Sequence, residues 1–478
     1  MLFCDYVWIY GVGVIKLFDT AISDTVPMVF SPDETIGMYV CGATVYGPPH
    51  VGHGRFALVY DILWRYLEYS GYKVIFASNV TDIDDKIIDR ANREGRSWRS
   101  LAAESEEQWW RNMELLNVRK PHHTPHATDY IDQMIESIVK LEEKGYAYRL
   151  DDGVYMEVGR LSSYGLLAHQ NLDTLRSGAR VSVDQSKHSP LDFALWKAAK
   201  PGEPTWGSPF GAGRPGWHTE CVVMASSLLG DDFVLHGGGL DLCFPHHENE
   251  RAQAQALSIN FARHWIHNGL VEVGGQKMSK SLGNYITLEE MFHEHNPSAY
   301  RLLVLQSSYR SPIEVTADLM NDAEKALERI NALSRRLDDI QNSTSYDDLQ
   351  LSEAMSGIDI DEKRHNFVNM MDDDFNTSSA TALLFTSLRQ ANTLLDHHDV
   401  VSGYRLGKFV VEAFIMLGIG NLASTEAIDP KALAIVEARD AARLSRDFAK
   451  ADELKSQIEL LGYRVEDSTD GTKLRKIN

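Results

Sequence analysis

Two histidines stand three residues apart where a predicted strand is followed by a predicted helix. His50 and His53 come after a buried apolar run at residues 36–40 and a turn rich in glycine and proline at residues 42–49. At the start of a helix, backbone N–H groups and imidazoles on one face can both point at an anion. Gly52 leaves room for a flat base or a ribose to approach the backbone. The stretch therefore predicts a polyphosphate site, although an isolated histidine there is more often a surface or helix-capping residue.

A basic loop flanked by glycines, GGQKMSKSLG, is a second candidate for phosphate binding. Lys277 and Lys280 lie three residues apart in it. The glycines permit a loop that closes over a leaving pyrophosphate. An exposed basic loop is the commoner explanation of such a spacing, and the spacing by itself leaves both readings open.

Thiol, imidazole and carboxylate side chains in three separate stretches form a candidate metal site. Cys41 stands at the end of the predicted strand, and Cys221 closes the stretch GWHTEC. His246 and Glu250 are four residues apart where a helix is expected after a proline, so they share one helix face. Two sulfurs, one nitrogen and one oxygen are a donor set that suits zinc.

Other chelating residues leave alternatives open. Cys243 and His247 are as available for this metal site as the residues just named, and spacing does not choose among them. The histidines of PHHTPH at residues 121–126 and the aspartates at residues 372–374 could also bind a metal. Free histidines in a solvated loop, and a helix cap in a solvated turn, are the commoner explanations of those two patterns.

Hydrophobic periodicity predicts the elements that position these residues. Strands are expected at residues 14–20, 36–40 and 73–76, and a helix over about 54–70 completes a right-handed βαβ unit. Polar residues at the carboxyl ends of such strands, such as NVTDIDDK from residue 79, are candidates for substrate contacts. The other predicted elements, in order, are helices at 97–116 and 130–144, a region rich in strands and loops at 154–200, a helix after residue 245, a helical region at 317–422 with one break at 371–377, a helix at 432–461 and a hairpin at 462–474.

The charge of the chain limits its nucleic-acid contacts to local patches. The formal net charge of -21 argues against general binding of polyanions. Residues 429–478 contain ten Lys or Arg and ten Asp or Glu, so this tail is neutral and the least repulsive region.

Cysteine usage and hydropathy predict a cytoplasmic protein. The four cysteines are widely spaced and form no CxxC pair, which argues against a disulfide framework. The apolar N-terminus contains Asp5 and lacks a basic start, so it does not resemble a signal peptide. No apolar run reaches the length of about 18 residues that a membrane helix needs, and no membrane partner is expected.

Several enzyme classes are excluded by incomplete motifs. GVGVIK at residues 11–16 lacks the third glycine of the dinucleotide fingerprint, and the chain has no P-loop pattern. HGGG at residues 236–239 also occurs in lipase oxyanion holes, but the chain has no GxSxG nucleophile elbow, which excludes a serine hydrolase.

From residue 14 onward the chain resembles the cysteinyl-tRNA synthetase family of class I aminoacyl-tRNA synthetases. PPHVGHGR is similar to the HIGH signature, KMSKS is the second class I signature, and YVCG precedes the first. NVTDIDDK, GWHTEC, HGGGLDLCFPHHENE and DDDFN follow in the order typical of the family. The resemblance implies zinc ligation by Cys41, Cys221, His246 and Glu250.

The same resemblance implies a reaction. L-cysteine would be activated with ATP and Mg²⁺ and transferred to the terminal adenosine of tRNA(Cys). The residues implied to stabilise charge on the phosphates of ATP are His50, His53, Lys277 and Lys280, with Gly52 beside them. The candidates for holding cysteine and the adenylate are Thr81, Trp217, His236 and Asp241, with Asp241 as the partner of the ammonium group.

The expected architecture is α/β: a Rossmann-like parallel-sheet catalytic domain with an insertion, followed by a helical bundle and a small C-terminal anticodon-binding domain. We expect a monomer. The expected segments are the first half of the catalytic domain at 14–128, a connective insertion at 129–212, the second half with the zinc ligands at 213–268, the KMSKS loop and stem-contact region at 269–320, the helical bundle at 321–424 and the C-terminal domain at 425–478.

Two rival functions remain. A related ligase joins cysteine to a glucosaminyl-inositol and resembles the catalytic half, but a small acceptor needs no helical arm such as that from about residue 317 onward. A non-catalytic tRNA-binding paralogue would lack His50, His53, Lys280 or a zinc ligand, and the chain has all of them.

Overall fold

The structure, a computed structural model, describes residues 13–31, 33–169, 186–278, 284–343, 359–420, 430–445, 447–468 and 471–476. The strands are β1 (Lys16–Asp19), β2 (Asp24–Pro27), β3 (Ile36–Thr44), β4 (Val74–Thr81), β5 (Ala147–Leu150), β6 (Gly153–Met156), β7 (Phe193–Ala198), β8 (Gly213–Pro215), β9 (Asp232–Gly239), β10 (Phe261–Asn268), β11 (Val271–Val273), β12 (Gln276–Lys277), β13 (Ile313–Glu314), β14 (Tyr463–Ser468) and β15 (Gly471–Lys476).

The helices are α1 (Val51–Tyr69), α2 (Asp85–Glu94), α3 (Trp98–Leu115), α4 (Ile131–Glu143), α5 (Trp217–Leu229), α6 (Glu248–Leu257), α7 (Leu288–Glu294), α8 (Pro297–Leu305), α9 (Ala317–Ser343), α10 (Ile360–Asp372), α11 (Thr377–Asp396), α12 (Val400–Met416), α13 (Pro430–Leu444) and α14 (Phe448–Leu460). Single turns lie at Ala127–Tyr130, Val158–Arg160 and Leu240–Leu242, and Cys243–His247 forms a kinked turn.

A parallel sheet in the order β10-β9-β3-β4 carries three of the candidate site residues, Cys41 on β3, Thr81 on β4 and His236 on β9. Ile36, Met38, Tyr39 and Val40 in β3 are fully buried, as expected for a central strand covered on both faces. The α/β fold and the βαβ unit formed by β3, α1 and β4 are confirmed. Both strands are longer than predicted, because polar residues at their carboxyl ends continue the ladder instead of leaving it.

Further sheets in the described residues of the unit Met1–Gly420 are the pair β1-β2, the four-stranded sheet β5-β6-β7-β8 and the three-stranded sheet β12-β11-β13. β5 to β8 form an antiparallel sheet within the predicted strand-rich insertion, and Gly213–Pro215 completes it just beyond the expected boundary at residue 212. β12, β11 and β13 form the three-stranded sheet, which leads into the KMSKS stretch. Parallel pairing of β11 with β13 brings residues about forty apart in the chain side by side.

The helical region after residue 317 is confirmed, but the break at DDDFN is not a solvated turn. Asp372 is buried and accepts a hydrogen bond from the Tyr66 hydroxyl at 2.5 Å. Asp374 accepts hydrogen bonds from Phe18 N and from the Tyr309 hydroxyl, both at 2.8 Å. The helix cap is Asn376, whose side chain accepts from the amide of the third helical residue. These aspartates therefore join the region between α10 and α11 to α1, to β1 and to the segment that contains Tyr309.

The chain divides into two compact units, Met1–Gly420 and Asn421–Asn478. In the second unit the predicted hairpin is confirmed as β14 and β15, which pair in antiparallel register. The single helix expected at residues 432–461 is wrong, since α13 ends at Leu444 and α14 starts at Phe448. Asp447 interrupts the helix by capping α14, and its carboxylate accepts from Lys450 N.

In the part of the chain that the structure describes, no helix combines the length and apolar character needed to span a bilayer.

Candidate functional site

Two thiols, an imidazole and a carboxylate from three segments meet beside β3. Ligand atoms of Cys41, Cys221, His246 and Glu250 lie within 4.8 Å of one another, and all four residues are buried. His246 Nε2 is 2.9 Å from Glu250 Oε1, and Cys41 Sγ is 3.2 Å from the same oxygen. Cys221 Sγ is 3.5 Å from His246 Nε2. The fold thus brings together residues separated by about 200 positions into one cluster that could hold a metal ion.

The backbone of β3 is irregular where it presents Cys41. The register against β4 shifts between Val40 and Ala43, so Cys41 lies at a bulge rather than at the strand end expected from the sequence. A Cβ at Gly42 would lie 1.8 Å from Asn79 O, so only glycine lets the two strands approach so closely.

His246 reaches the cluster from a kinked turn and not from the expected α-helix. The turn spans Cys243–His247, and α6 begins only at Glu248. Phe244 within the turn is extended, with φ of -137° and ψ of 132°, so the chain bends just before His246. The predicted contact between His246 and Glu250 is made nevertheless.

Buried charges in the cluster compensate one another. Burial opposes charging of His246, but the Glu250 carboxylate and the Cys221 thiol raise the pKa of His246 to about 10. Burial also opposes ionisation of Cys221, yet the hydrogen bond with Cys41 and the nearby His246 lower its pKa to about 6. Burial and the neighbouring Cys221 raise the pKa of Cys41 well above its usual value. The pKa values of the two thiols are therefore shifted in opposite directions, with that of Cys221 lowered and that of Cys41 raised.

Outer partners orient two members of the cluster. His246 Nδ1 lies 2.9 Å from His218 Nδ1, which leaves Nε2 directed at Cys221 and Glu250. His236, a predicted substrate contact, is fully buried and lies 2.8 Å through Nε2 from Glu250 Oε2. Its ring stacks on Trp265 at 4.4 Å. His236 thus contacts the candidate ligand Glu250.

A second set of chelating atoms shares two members with the first. Cys41, His236, His247 and Glu250 also lie within 4.8 Å of one another. His247 Nδ1 is 2.8 Å from His267 Nε2. Burial lowers the pKa of His267 to about 3, so that ring is neutral. The second set has one thiol where the first has two.

Thr81 lies at the carboxyl end of β4 in a buried polar network. Its hydroxyl donates to Glu220 Oε2 at 3.0 Å and accepts from Asn79 Nδ2 at 3.0 Å. Asn79 Oδ1 in turn accepts from Gly42 N at 2.8 Å. The network joins the ends of β3 and β4 beside Cys221, whose Sγ lies 3.7 Å from Asn79 Oδ1.

Sequence reasoning missed Glu220. It is 1% exposed, and burial raises the pKa of its carboxyl well above the usual value. Its position next to Cys221 in GWHTEC was the only available signal, because its hydrogen-bond partner Thr81 is distant in sequence.

Trp217 and Asp241 differ in how they are placed relative to the metal cluster. Trp217 begins α5, is half-buried and stacks on His246 with ring centroids 4.1 Å apart. Asp241 is exposed on the turn Leu240–Leu242, which follows the carboxyl end of β9. The stacking places Trp217 at the metal cluster, whereas Asp241 occupies the sheet edge at which ligands of parallel sheets bind.

His50 and His53 cap the start of α1 by binding each other's backbone. Each Nδ1 accepts from the other residue's amide at 3.3 Å, and the rings stack at 3.6 Å. A ring that accepts at Nδ1 while neutral carries its proton on Nε2. Gly52 lies close to both, because a Cβ there would be 2.9 Å from the His50 ring.

The segments flanking the KMSKS stretch lie against the same helix start. Val51 N donates to Ile286 O at 3.1 Å, and Leu288 N donates to Pro49 O at 2.9 Å. The Cβ position of Gly52 is 3.6 Å from Met278 Cε. Lys277 ends β12, while its side chain and the predicted residue Lys280 lie outside the described residues.

Comparison with solved structures assigns the fold to one class. The chain is similar to methionyl-tRNA synthetase of Mycobacterium tuberculosis in complex with methionyl-adenylate, with a TM-score of 0.60, 14% identity and coverage of 80% of this chain and 90% of that one. A putative arginyl-tRNA synthetase from Campylobacter jejuni gives a TM-score of 0.56 at 14% identity, covering 81% and 93%. The fold is therefore that of class I tRNA synthetases.

Sequence comparison narrows this class to a family. Residues 28–325 match the family "tRNA synthetases class I (C) catalytic domain", and residues 366–421 match the DALR domain. The chain is 44% identical to a cysteine–tRNA ligase of Caldicellulosiruptor saccharolyticus over 94% of this chain and 97% of the relative. It is 41% identical to a cysteine–tRNA ligase of Anoxybacillus flavithermus over 97% and 99%. The chain belongs to the cysteine–tRNA ligase family.

Proposed function

We propose that the chain activates L-cysteine with ATP to cysteinyl-adenylate and transfers it to the 3′-terminal adenosine of tRNA(Cys). The observation that carries the proposal is the buried cluster of Cys41, Cys221, His246 and Glu250 at the edge of the parallel sheet. A metal ion held by two thiols in such a site would also bind the sulfur of a substrate cysteine. Membership in the cysteine–tRNA ligase family supports the same substrate.

The chemistry of the donor set fits Zn²⁺. Two sulfurs, one imidazole nitrogen and one carboxylate oxygen form a set that zinc binds. His246 faces the cluster through one nitrogen and an outer partner through the other, as metal-bound histidines do. We therefore propose His246 rather than His247 as the ligand, and we reassign His236 from substrate contact to orientation of Glu250.

Selection of cysteine follows from this site. Bound Zn²⁺ favours a thiolate over a thiol, a bond that the hydroxyl of serine does not replace. Trp217, stacked on His246, covers one side of the site. Thr81, oriented by Asn79 and Glu220, provides a polar contact for the amino-acid backbone. Leaving such a site unfilled is costly, so the discrimination needs no editing step.

The phosphates of ATP, bound with Mg²⁺, are proposed to lie at the start of α1. The Nε2–H groups of His50 and His53, together with Lys277 and Lys280, stabilise negative charge as the cysteine carboxylate attacks the α-phosphate. Asp241 is proposed to contact the substrate at the carboxyl end of β9. The chain's contribution is positioning and electrostatic stabilisation.

The choice of acceptor tests the proposal. The purified chain should catalyse cysteine-dependent exchange of pyrophosphate with ATP and should form cysteinyl-tRNA(Cys) while leaving glucosaminyl-inositol unchanged. Mass spectrometry of the two acceptors after incubation with cysteine and ATP gives the answer. Exchange without tRNA charging, or a cysteinyl-glucosaminyl-inositol product, would contradict the proposal.

The C-terminal unit is proposed to bind the anticodon. A chain that lacks residues 429–478 should retain pyrophosphate exchange within about threefold, because the proposed active site lies in the unit Met1–Gly420. Its kcat/KM for tRNA should fall by about 100-fold or more, since contacts far from the reacting atoms supply binding energy. Equal losses in exchange and charging would refute the separate role of this unit.

We further propose that the enzyme acts as a cytoplasmic monomer and that the segments given from the sequence are its functional domains. Size-exclusion chromatography with light scattering tests the oligomeric state.

A further inference from the structure

Arg55 is a buried cation whose hydrogen bonds go to main-chain carbonyls. It lies near the start of α1, two residues after His53, and is 1% exposed. Nη1 donates to Leu270 O at 2.7 Å. Nη2 donates to Tyr309 O at 3.1 Å and also reaches Ser308 O and Ser311 O. Burial lowers the pKa of Arg55 to about 10, so the guanidinium remains charged at neutral pH.

The carbonyls that accept from Arg55 belong to two neighbouring segments that are also joined by backbone hydrogen bonds. Gly269 N donates to Tyr309 O at 2.8 Å, and Ile313 N donates to Leu270 O at 3.1 Å. Carbonyl oxygens that converge in the interior lose their water, and a charged donor with several N–H groups satisfies them together. The segments approach so closely that a Cβ at Gly269 would lie 2.4 Å from Ser311 O. Arg55 therefore connects α1 to both of these segments through hydrogen bonds.

Both segments lead directly into the small sheet that carries the KMSKS stretch. Leu270 lies one residue before β11 and Ser311 lies two residues before β13, and these strands pair in parallel. β11 also pairs with β12 in antiparallel register, and Glu272 of β11 lies opposite Lys277 of β12. Only the short hairpin of β11 and β12 therefore separates Leu270, which accepts from Arg55, from Lys277.

We propose that Arg55 is a positioning residue for the ATP half of the reaction, because it fixes the strand that ends at Lys277 relative to His50 and His53 on α1. The inference rests on the proposed function. The cysteine half of the site is held by β3, β4 and α5 instead, which Arg55 does not contact through any hydrogen bond in the described parts of the chain. Its loss should therefore affect ATP and spare cysteine.

Kinetics of the full-length Arg55→Met and Arg55→Lys variants test this role. A displacement of about 1 Å between reacting groups can cost ~100-fold, so Arg55→Met should lower kcat/KM for ATP by about 10- to 100-fold in pyrophosphate exchange, with a higher KM for ATP. Lysine keeps the charge but not the planar set of donors, so Arg55→Lys should recover part of the loss. The KM for cysteine should stay within about twofold in both variants, because the zinc and thiol contacts are unchanged.

Arg65→Met is the matched control. Arg65 lies on the same helix, but it pairs with Asp61 at 2.8 Å and binds Asn117 O, on a different side of α1. It should leave the KM for ATP unchanged even if stability falls. A general loss of folded protein would reduce kcat alone and leave both KM values unaltered.

The outcomes separate this role from the proposed function. A wild-type chain without cysteine-dependent exchange would overturn both. Wild-type exchange with an unchanged KM for ATP in Arg55→Met, or equal changes for ATP and cysteine, would overturn the positioning role alone. If Arg55→Met does not yield soluble protein, a normal KM for ATP in Arg55→Lys would likewise overturn the positioning role.

Discussion

Cys221→Ala should lose both bound zinc and the affinity for cysteine. Cys221 Sγ lies 3.5 Å from His246 Nε2, within the buried cluster that Cys221 forms with Cys41, His246 and Glu250. Removal of an outer partner of a zinc site already costs about 10- to 100-fold in affinity or activity, so loss of a ligand should cost at least that much. The wild type should contain about one zinc ion per chain. Metal analysis and cysteine titration measure the two quantities.

Cys243→Ala is the control for this variant. Cys243 is also buried, only three residues from His246, but its thiol lies 3.7 Å from Leu167 O and belongs to the core. The variant should retain zinc and bind cysteine as the wild type does. If Cys221→Ala kept both zinc and cysteine affinity, the proposed metal site would be wrong; if Cys243→Ala lost both, the ligand set would have to include Cys243.

Arg301→Met should destabilise the unit Met1–Gly420, and breaking a buried ion pair usually costs about 3–5 kcal/mol. We expect the lower end of this range, because Asp61 keeps Arg65 as a second partner at 2.8 Å. Arg301 is fully buried and lies 2.7 Å through Nη1 from Asp61 Oδ2 on α1. It also donates to Leu116 O and Leu417 O, so one side chain joins α1, the end of α3 and the end of α12. Urea unfolding followed by tryptophan fluorescence measures the loss.

The loss in the free energy of unfolding caused by Arg301→Met should depend on pH. Burial alone would raise the pKa of Asp61, but Arg301 and Arg65 hold it below its usual value. A carboxylate with a lowered pKa stabilises the fold above its unfolded pKa of about 4, and this contribution disappears as the pH falls below that value. The destabilisation by Arg301→Met should therefore be largest at neutral pH and narrow under acidic conditions.

Lys325→Met is the control for the ion pair. Lys325 and Asp322 form a pair at 2.9 Å on the surface of α9, with 75% and 71% of their side chains exposed. Water and salt screen an exposed pair of this kind, so its loss should leave the unfolding midpoint almost unchanged. An unfolding midpoint for Arg301→Met equal to that of Lys325→Met would show that the buried pair does not stabilise the unit.

Local patterns predicted the elements but not where each one stops. The start of α1 after two prolines and its end near Gly71 follow from turn residues and periodicity. Strand β4 runs five residues beyond its apolar stretch because the neighbouring strand β3 supplies hydrogen-bond partners for polar residues. The break between α13 and α14 depends on a single capping aspartate, Asp447, inside a pattern that otherwise continues as a helix.

The sequence by itself determined the residue types of the site and the family to which they belong. Cys41, Cys221, His246 and Glu250 carry donor atoms that suit zinc, and the two signatures carry groups that suit phosphate. These are properties of side chains and of local order along the chain, which folding does not alter.

Only the tertiary structure decided which neighbours act on those residues. It made His236 a partner of Glu250, brought Glu220 to Thr81 and placed Arg55 among carbonyls of two distant segments. The physical reason is that burial and hydrogen bonding depend on contacts between residues far apart in the chain. The spacing of residues in the sequence does not give those distances. The candidate metal ligands could therefore be predicted from the sequence, but the residues that contact them could not.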